Sequence, residues 1–307
     1  ITLTKDEITE VVIVITDTSG NAATTTRYVL YDEMIAYALL LDNSASDTNK
    51  VPMVFVRSAD EIAPNDTYNS STYGELKVLH AYRDFEDGSK PWNTQRSTVT
   101  SVIVEEVFVP AETASWFSGF TNCSYFDVRN INTSFVTDMS YMFTDAGRDV
   151  AITDFEIIGL DTWNTENVVN MHQLFSHAGY YSEVFSLDLS GWDTSSVTNM
   201  EGMFAQAGRN ANTFELIGLK NWDVSSVTDM GEADPVDGGM FSYAGYKADK
   251  IELDLSNWDV SSVTNTTFMF RYIGYEAGTV HINLSGWKLS PDLEWHDGAN
   301  ESMFSYI

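Results

Sequence analysis

The chain has 307 residues, 43% of them hydrophobic and 13% aromatic, which is enough to build a sizeable core and too aromatic for a disordered acidic tail. Its 45 acidic against 16 basic residues give a formal charge of −29, which argues against binding nucleic acid or inserting into an anionic membrane surface. The single cysteine, Cys123, excludes an internal disulfide framework and a multi-cysteine zinc site.

In chain order, residues 1–33 contain EVVIVITDTSGNAATTTRYVLY, two β-runs around a Thr-Ser-Gly-Asn turn. They predict a β-hairpin, and the alternative is the closing hairpin of a preceding immunoglobulin-like module. The start at Ile1, without an initiator Met, suggests a mature or excised piece of a longer protein. In residues 34–110, AYALLL, VPMVFVRS, LKVLHAY and TSVIVEEVFVP read as strands, separated by polar loops at 65–72 and 84–97. This mostly β region is expected to cap the exposed edge of the first repeat unit. Cys123, inside SWFSGFTNCSYF, is expected to be a small buried residue.

From Ala111 to Ile307 the chain is an array of about six related units. Its clearest copies are SLDLSGWDTSSVTNMEGMFAQAG, LIGLKNWDVSSVTDM and ELDLSNWDVSSVTNTTFMF. The anchors Trp163, Trp192, Trp222, Trp258 and Trp287 are spaced by 29, 30, 36 and 29 residues and are expected to stack in one buried column. Before each Trp, alternation such as Leu187-Asp188-Leu189 predicts a short strand. After it, Met200, Met203, Phe204 and Ala207 fall at i, i+3, i+4 and i+7, between a candidate N-cap, Asn199, and a candidate C′ glycine, Gly208. That spacing predicts a short helix, repeated after Asp138, Asn170 and Asn265. The expected fold class is therefore an α/β repeat solenoid, leucine-rich-repeat-like, with one parallel strand and one helix per unit.

The L-S-x-W-D-x-S-S-V-T-x-M-x-x-M-F block resembles the BspA-type surface-protein repeats of bacteria and mycoplasmas. SWFSGF leading into NTSFVTDMSYMF, and the AYALL strand upstream, carry the likeness over roughly residues 36–307. The resemblance implies a large secreted or cell-surface protein, often envelope-anchored and involved in adhesion, with no enzymatic activity. The Ala-Gly after Met-Phe and the longer insert behind it depart from that pattern.

No serine-histidine-aspartate order, phosphate loop or paired-carboxylate motif stands out, and His172 and His177, five apart, do not share a helical face. Two features rise above this background. The positions after the unit-closing glycines, Arg148, Tyr180, Arg209, Tyr246 and Tyr275, are expected to align, with Tyr181, Tyr243 and Tyr272 nearby. Such a column is either a stabilising ladder of cation–π and stacking contacts or a binding stripe. The second is the acidic insertion of the fourth unit, where Asp229, Glu232, Asp234 and Asp237 are candidate Ca²⁺ ligands without EF-hand spacing; the bland reading is a solvated loop.

Together these features predict a non-enzymatic extracellular, cell-surface protein that adheres or binds a ligand through its repeat face. The expected partner is a host or microbial surface protein or glycan, or copies of the chain itself. The alternative is a structural subunit or spacer of a surface layer or extracellular filament.

Overall fold

The computed structural model describes residues 8–16, 22–30, 34–44, 50–83, 85, 89–149, 154–231, 238–291, 293 and 303–305. Strands β1 (Ile8–Thr16) and β2 (Ala22–Leu30) pair antiparallel as a separate two-stranded ribbon. The upstream apolar runs form β3 (Ile35–Asp42), β4 (Pro52–Ser58), β6 (Gly74–Arg83) and β7 (Ser101–Val104), with β5 (Thr67–Ser70) inside one of the expected loops. One short strand then comes from each repeat unit: β8 (Tyr125–Asp127), β9 (Asp154–Ile158), β10 (Val184–Asp188), β11 (Thr213–Ile217), β12 (Lys250–Asp254) and β13 (Thr279–Asn283).

Strands β3 to β13 make one eleven-stranded sheet in the order β13-β12-β11-β10-β9-β8-β7-β4-β3-β6-β5. Pairings among β3, β4, β5 and β6 are antiparallel, and every pairing from β4/β7 through β12/β13 is parallel. Near β3 and β4 the sheet is covered on both faces, which is why these strands read as unbroken apolar runs. Tyr37, Leu39, Leu41, Val54 and Val56 form a small cluster on one face, and Ala38, Leu40, Met53 and Phe55 join the main core on the other. Cys123 is fully buried in that core, and burial pushes its thiol above the ordinary range.

The helix expected in each unit does not form, and this overturns the α/β, leucine-rich-repeat-like solenoid. Among the described residues there is no α-helix, only 3₁₀ turns at Pro91–Thr94, Arg96–Thr98, Leu160–Thr162 and Leu219–Asn221. The segments with helical spacing are chains of tight turns with left-handed residues at fixed places. Tyr141, Asp145 and Gly147 have φ of 58°, 59° and 64°, and Gln173, His177 and Gly179 have 48°, 57° and 55°. Gly202, Gln206 and Gly208 repeat the same pattern, as do Phe268, Tyr272 and Gly274. A right-handed helix cannot hold a left-handed residue in each turn.

The amide groups show what the turns achieve. The N–H groups of Met142 and Ala146 close turns onto the carbonyls of Met139 and Phe143. Those of Met139, Tyr141, Phe143 and Asp145 leave the unit and donate to Asn170, His172, Leu174 and Ser176 of the next, at 2.9–3.0 Å. The expected N-caps serve as Asx turns: Oδ1 of Asp138, Asn170, Asn199 and Asn265 accepts the amide of Ser140, His172, Glu201 and Thr267.

Columns of rings fill the space between sheet and turns. Trp163, Trp192, Trp222, Trp258 and Trp287 stack as expected, with centroids 6.1–6.4 Å apart and planes within 10°. Trp287 is half-buried and the other four are buried. Each indole N–H donates to a carbonyl of the preceding unit, on Val128, Leu160, Leu189, Leu219 and Leu255 in turn. Phe143, Phe175, Phe204, Phe241, Phe270 and Phe304 stack beside them at 5.3–5.7 Å. Such aromatic contacts contribute about 0.5–1.5 kcal/mol per pair beyond the area they bury.

Two positions after each Trp, the buried hydroxyls of Thr165 and Thr194 donate to the carbonyls of Asp193 and Asp223 at 2.8 Å, while Val224 and Val260 occupy the same place in later units. Replacing Thr194 by Val is therefore expected to cost only the hydrogen bond, about 1–2 kcal/mol in urea unfolding. A loss above about 4 kcal/mol would mean that the site cannot accept the methyl group its neighbours accept.

Candidate functional site: an arginine and tyrosine strip

The closing glycine of each unit turns the chain so that the next side chain emerges beside its counterpart in the neighbouring unit. The inter-unit amide ladder fixes that register: the amides of Gly179, Gly208, Gly245 and Gly274 donate to Ala146, Ala178, Ala207 and Ala244. The residues directly after these glycines are Tyr180, Arg209, Tyr246 and Tyr275, with Arg148 after Gly147.

All five come together. The Arg148 guanidinium carbon lies 5.9 Å from the centroid of the Tyr180 ring, and Arg209 approaches the same ring at 5.7 Å. Arg209 also sits 4.4 Å from the Tyr243 ring and 4.9 Å from Tyr246. Tyr246 stacks on Tyr275 at 5.6 Å, and Tyr243 on Tyr272 at 4.6 Å. These distances fall within the range of cation–π and stacking attraction. Tyr181, half exposed, turns an edge to Tyr180 at 4.6 Å. The result is a continuous strip across five units, on the turn side of the molecule.

A second column supports the first, and of its members the sequence pattern had singled out only Tyr243 and Tyr272. Three residues before each strip member stand Asp145, His177, Gln206, Tyr243 and Tyr272, at the left-handed positions that aim them sideways. Asp145 is ion-paired with Arg148 at 2.8 Å, His177 stacks on Tyr180, and the Gln206 carbonyl accepts from Arg209 at 2.8 Å. Arg271, also unanticipated, extends the strip over Phe268 at 4.6 Å and Tyr272 at 5.3 Å. The i, i+3 spacing behind each column member is the signal that could have found the supporting column.

Burial, reinforced by the facing Glu276 carboxylate, raises the Tyr246 phenol above its ordinary range. Nearby, Tyr141 Oη and His172 Nε2 lie 2.7 Å apart, and His172 Nδ1 lies 3.2 Å from the Glu201 carboxylate. Burial pushes the His172 imidazole below its ordinary value, against the opposing pull of Asp138.

The candidate Ca²⁺ ligands are not brought into view as a group. Asp229 is half-buried and accepts the Gly231 amide in an Asx turn, and burial raises its carboxyl. Glu232, Asp234 and Asp237 lie outside the described residues. Among the described residues, no cluster of three or more His, Cys, Asp or Glu is placed to hold a metal ion, and no helix is long and apolar enough to cross a membrane.

The family described as "Mycoplasma protein of unknown function, DUF285" matches residues 111–233 and again residues 209–304, which together take in the repeat units. No curated protein and no solved structure matches the chain.

Proposed function

This chain belongs to the family of Mycoplasma proteins of unknown function, DUF285, and we propose that it is a non-enzymatic protein displayed outside the cell that binds a protein partner along the arginine and tyrosine strip. The likeness of its repeats to BspA-type surface repeats supports the location and the adhesive role. The observation that carries the reading is the strip itself. On a chain with formal charge −29, it gathers Arg148, Arg209 and Arg271 among tyrosines along one line. Arginine and tyrosine are the side chains that anchor protein interfaces, because they offer large rigid area together with a polar handle.

The ring geometry favours a protein over a sugar. A pyranose ring binds an aromatic face, and the faces of Tyr180, Tyr243 and Tyr246 are engaged with other rings and with guanidinium groups. Edges, hydroxyls and guanidinium N–H groups are what remain for a partner, and these suit carboxylates and backbone carbonyls.

Attachment of beads coated with the chain to an epithelial cell monolayer tests this. Tyr246→Ala is expected to reduce attachment about tenfold, with the loss of each exposed contact costing on the order of 0.5–1 kcal/mol in stability. Trypsin treatment of the cells is expected to abolish attachment. Undiminished attachment by the variant would reduce the strip to a structural ladder, and attachment that survives trypsin would exclude a protein partner.

A further inference from the structure

Four tyrosines gather where the fourth and fifth units meet: Tyr243 and Tyr246 from one, Tyr272 and Tyr275 from the next. Across the interface Tyr243 stacks on Tyr272 with centroids 4.6 Å apart, and Tyr246 stacks on Tyr275 at 5.6 Å with planes 29° apart. Within the units, Tyr243 lies 5.9 Å from Tyr246, and Tyr272 lies 5.1 Å from Tyr275. Main-chain bonds bracket both stacked pairs. The Tyr243 amide donates to the Arg271 carbonyl at 2.7 Å, and the Glu276 amide donates to the Tyr246 carbonyl at 2.8 Å. The register of the units therefore holds these phenols side by side, independently of any attraction between the rings.

The two stacked pairs are not equivalent. Tyr243 and Tyr272 are half-buried, with the Arg209 guanidinium 4.4 Å from the first ring and that of Arg271 5.3 Å from the second. A cation over a ring face opposes the withdrawal of an electron from that ring. Tyr246 has Arg209 at 4.9 Å, but the Glu276 carboxylate faces its hydroxyl and is placed to accept a proton from it. Tyr275, 52% exposed, is open to a reagent in solution, and an exposed side chain changes rotamer within nanoseconds. It can therefore pivot toward Tyr246, which the backbone holds beside it.

We propose that Tyr246 and Tyr275 form an oxidative cross-linking site, joined as dityrosine by a haem peroxidase and hydrogen peroxide, which fastens the fourth unit covalently to the fifth. Each phenol gives one electron to the oxidised haem and loses one proton, that of Tyr246 to Glu276 and that of Tyr275 to water. The two phenoxyl radicals join through the ring carbons ortho to oxygen. One carbon–carbon bond forms, one ortho C–H bond breaks on each ring, and those protons return to the oxygens as both rings regain aromaticity. In sum the pair loses two hydrogens, and one hydrogen peroxide becomes two waters. The cross-link needs no partner on the strip.

The test treats the full 307-residue chain, in dilute solution, with a haem peroxidase and hydrogen peroxide. Dityrosine fluorescence is expected to appear in a monomer lighter by two hydrogens. Trypsin cuts after Lys220, Lys247, Arg271 and Lys288, so the bond is expected to join peptide 221–247 to peptide 272–288. Tyr246→Phe and Tyr275→Phe are each expected to lower the intramolecular yield about tenfold, because coupling depends on the held pair. Tyr243→Phe and Tyr272→Phe are expected to change it less than about twofold. Tyr141→Phe is a further control with the same small effect. That ring is 38% exposed and its hydroxyl lies 2.7 Å from His172, so it has a proton acceptor, but it packs on an imidazole rather than on a second phenol. Absence of the two-hydrogen loss overturns the proposal, as does dityrosine confined to dimers of the chain. So does a yield that survives Tyr246→Phe or Tyr275→Phe, or one that falls equally with Tyr141→Phe.

Discussion

Replacing Trp222 by Ala is expected to destabilise the chain by about 3–5 kcal/mol, through cavity formation at the middle of a column that cannot close up. Trp222 is 3% exposed, with Trp192 centred 6.1 Å away on one side and Trp258 6.2 Å away on the other. Each neighbour is tethered by its own indole hydrogen bond, to Leu160 and Leu219, so neither can slide in to fill the space. The substitution also removes the donor to the buried-side carbonyl of Leu189. Urea unfolding monitored by far-ultraviolet circular dichroism measures the loss. A value under about 1 kcal/mol would contradict the role assigned to the column.

The second large effect is expected at Gly218. Its φ of 99° lies in a region that residues with a Cβ adopt only under strain, and a Cβ there would fall on the Cα and amide nitrogen of Ser190. Both obstacles are backbone, which a rotamer change cannot relieve. Gly218→Ala is expected to cost roughly 2–5 kcal/mol, from about 1–3 kcal/mol of conformational strain plus overpacking. Gly74 separates the two contributions. It also has a positive φ, 73°, but an added Cβ meets no atom within 4 Å. Gly74→Ala should therefore carry the strain alone, about 1 kcal/mol or slightly more, in the same unfolding measurement. Equal losses at the two sites would mean that the close approach to Ser190 is not a real constraint.

The strands and ring columns were legible because their determinants are local and repeated. Leu187-Asp188-Leu189 announces its pleat, and a tryptophan recurring after each strand can only stack on itself if the units stack. The turn segments were not legible from the same kind of pattern. Met200, Met203, Phe204 and Ala207 are spaced for one face of a helix, but consecutive four-residue turns place the same four residues inward. The information that separates the two lies in which residues turn left-handed. Gly202 and Gly208 are suggestive, but Tyr141, Asp145, Gln173 and His177 carry no such mark.

The alignment of Arg148, Tyr180, Arg209, Tyr246 and Tyr275 was legible for the same reason as the tryptophans, since each comes directly after a unit-closing glycine. Gln206 was legible only through its i, i+3 spacing behind Arg209, and Arg271 not at all, because its role depends on turn geometry.

The amides of the turn segments cross from unit to unit, as those of Met139, Tyr141, Phe143 and Asp145 do to residues 170–176. This gives the molecule a mechanical grain. The cohesive bonds run along the stacking axis, in sets that belong to one interface each. A pull directed along that axis loads the interfaces in series and can part them one set at a time, whereas a pull across it must shear every bond of an interface together. The arginine and tyrosine strip runs along the weak direction. A partner lying on several of its side chains would therefore act as a splint, resisting the separation of the very units it touches.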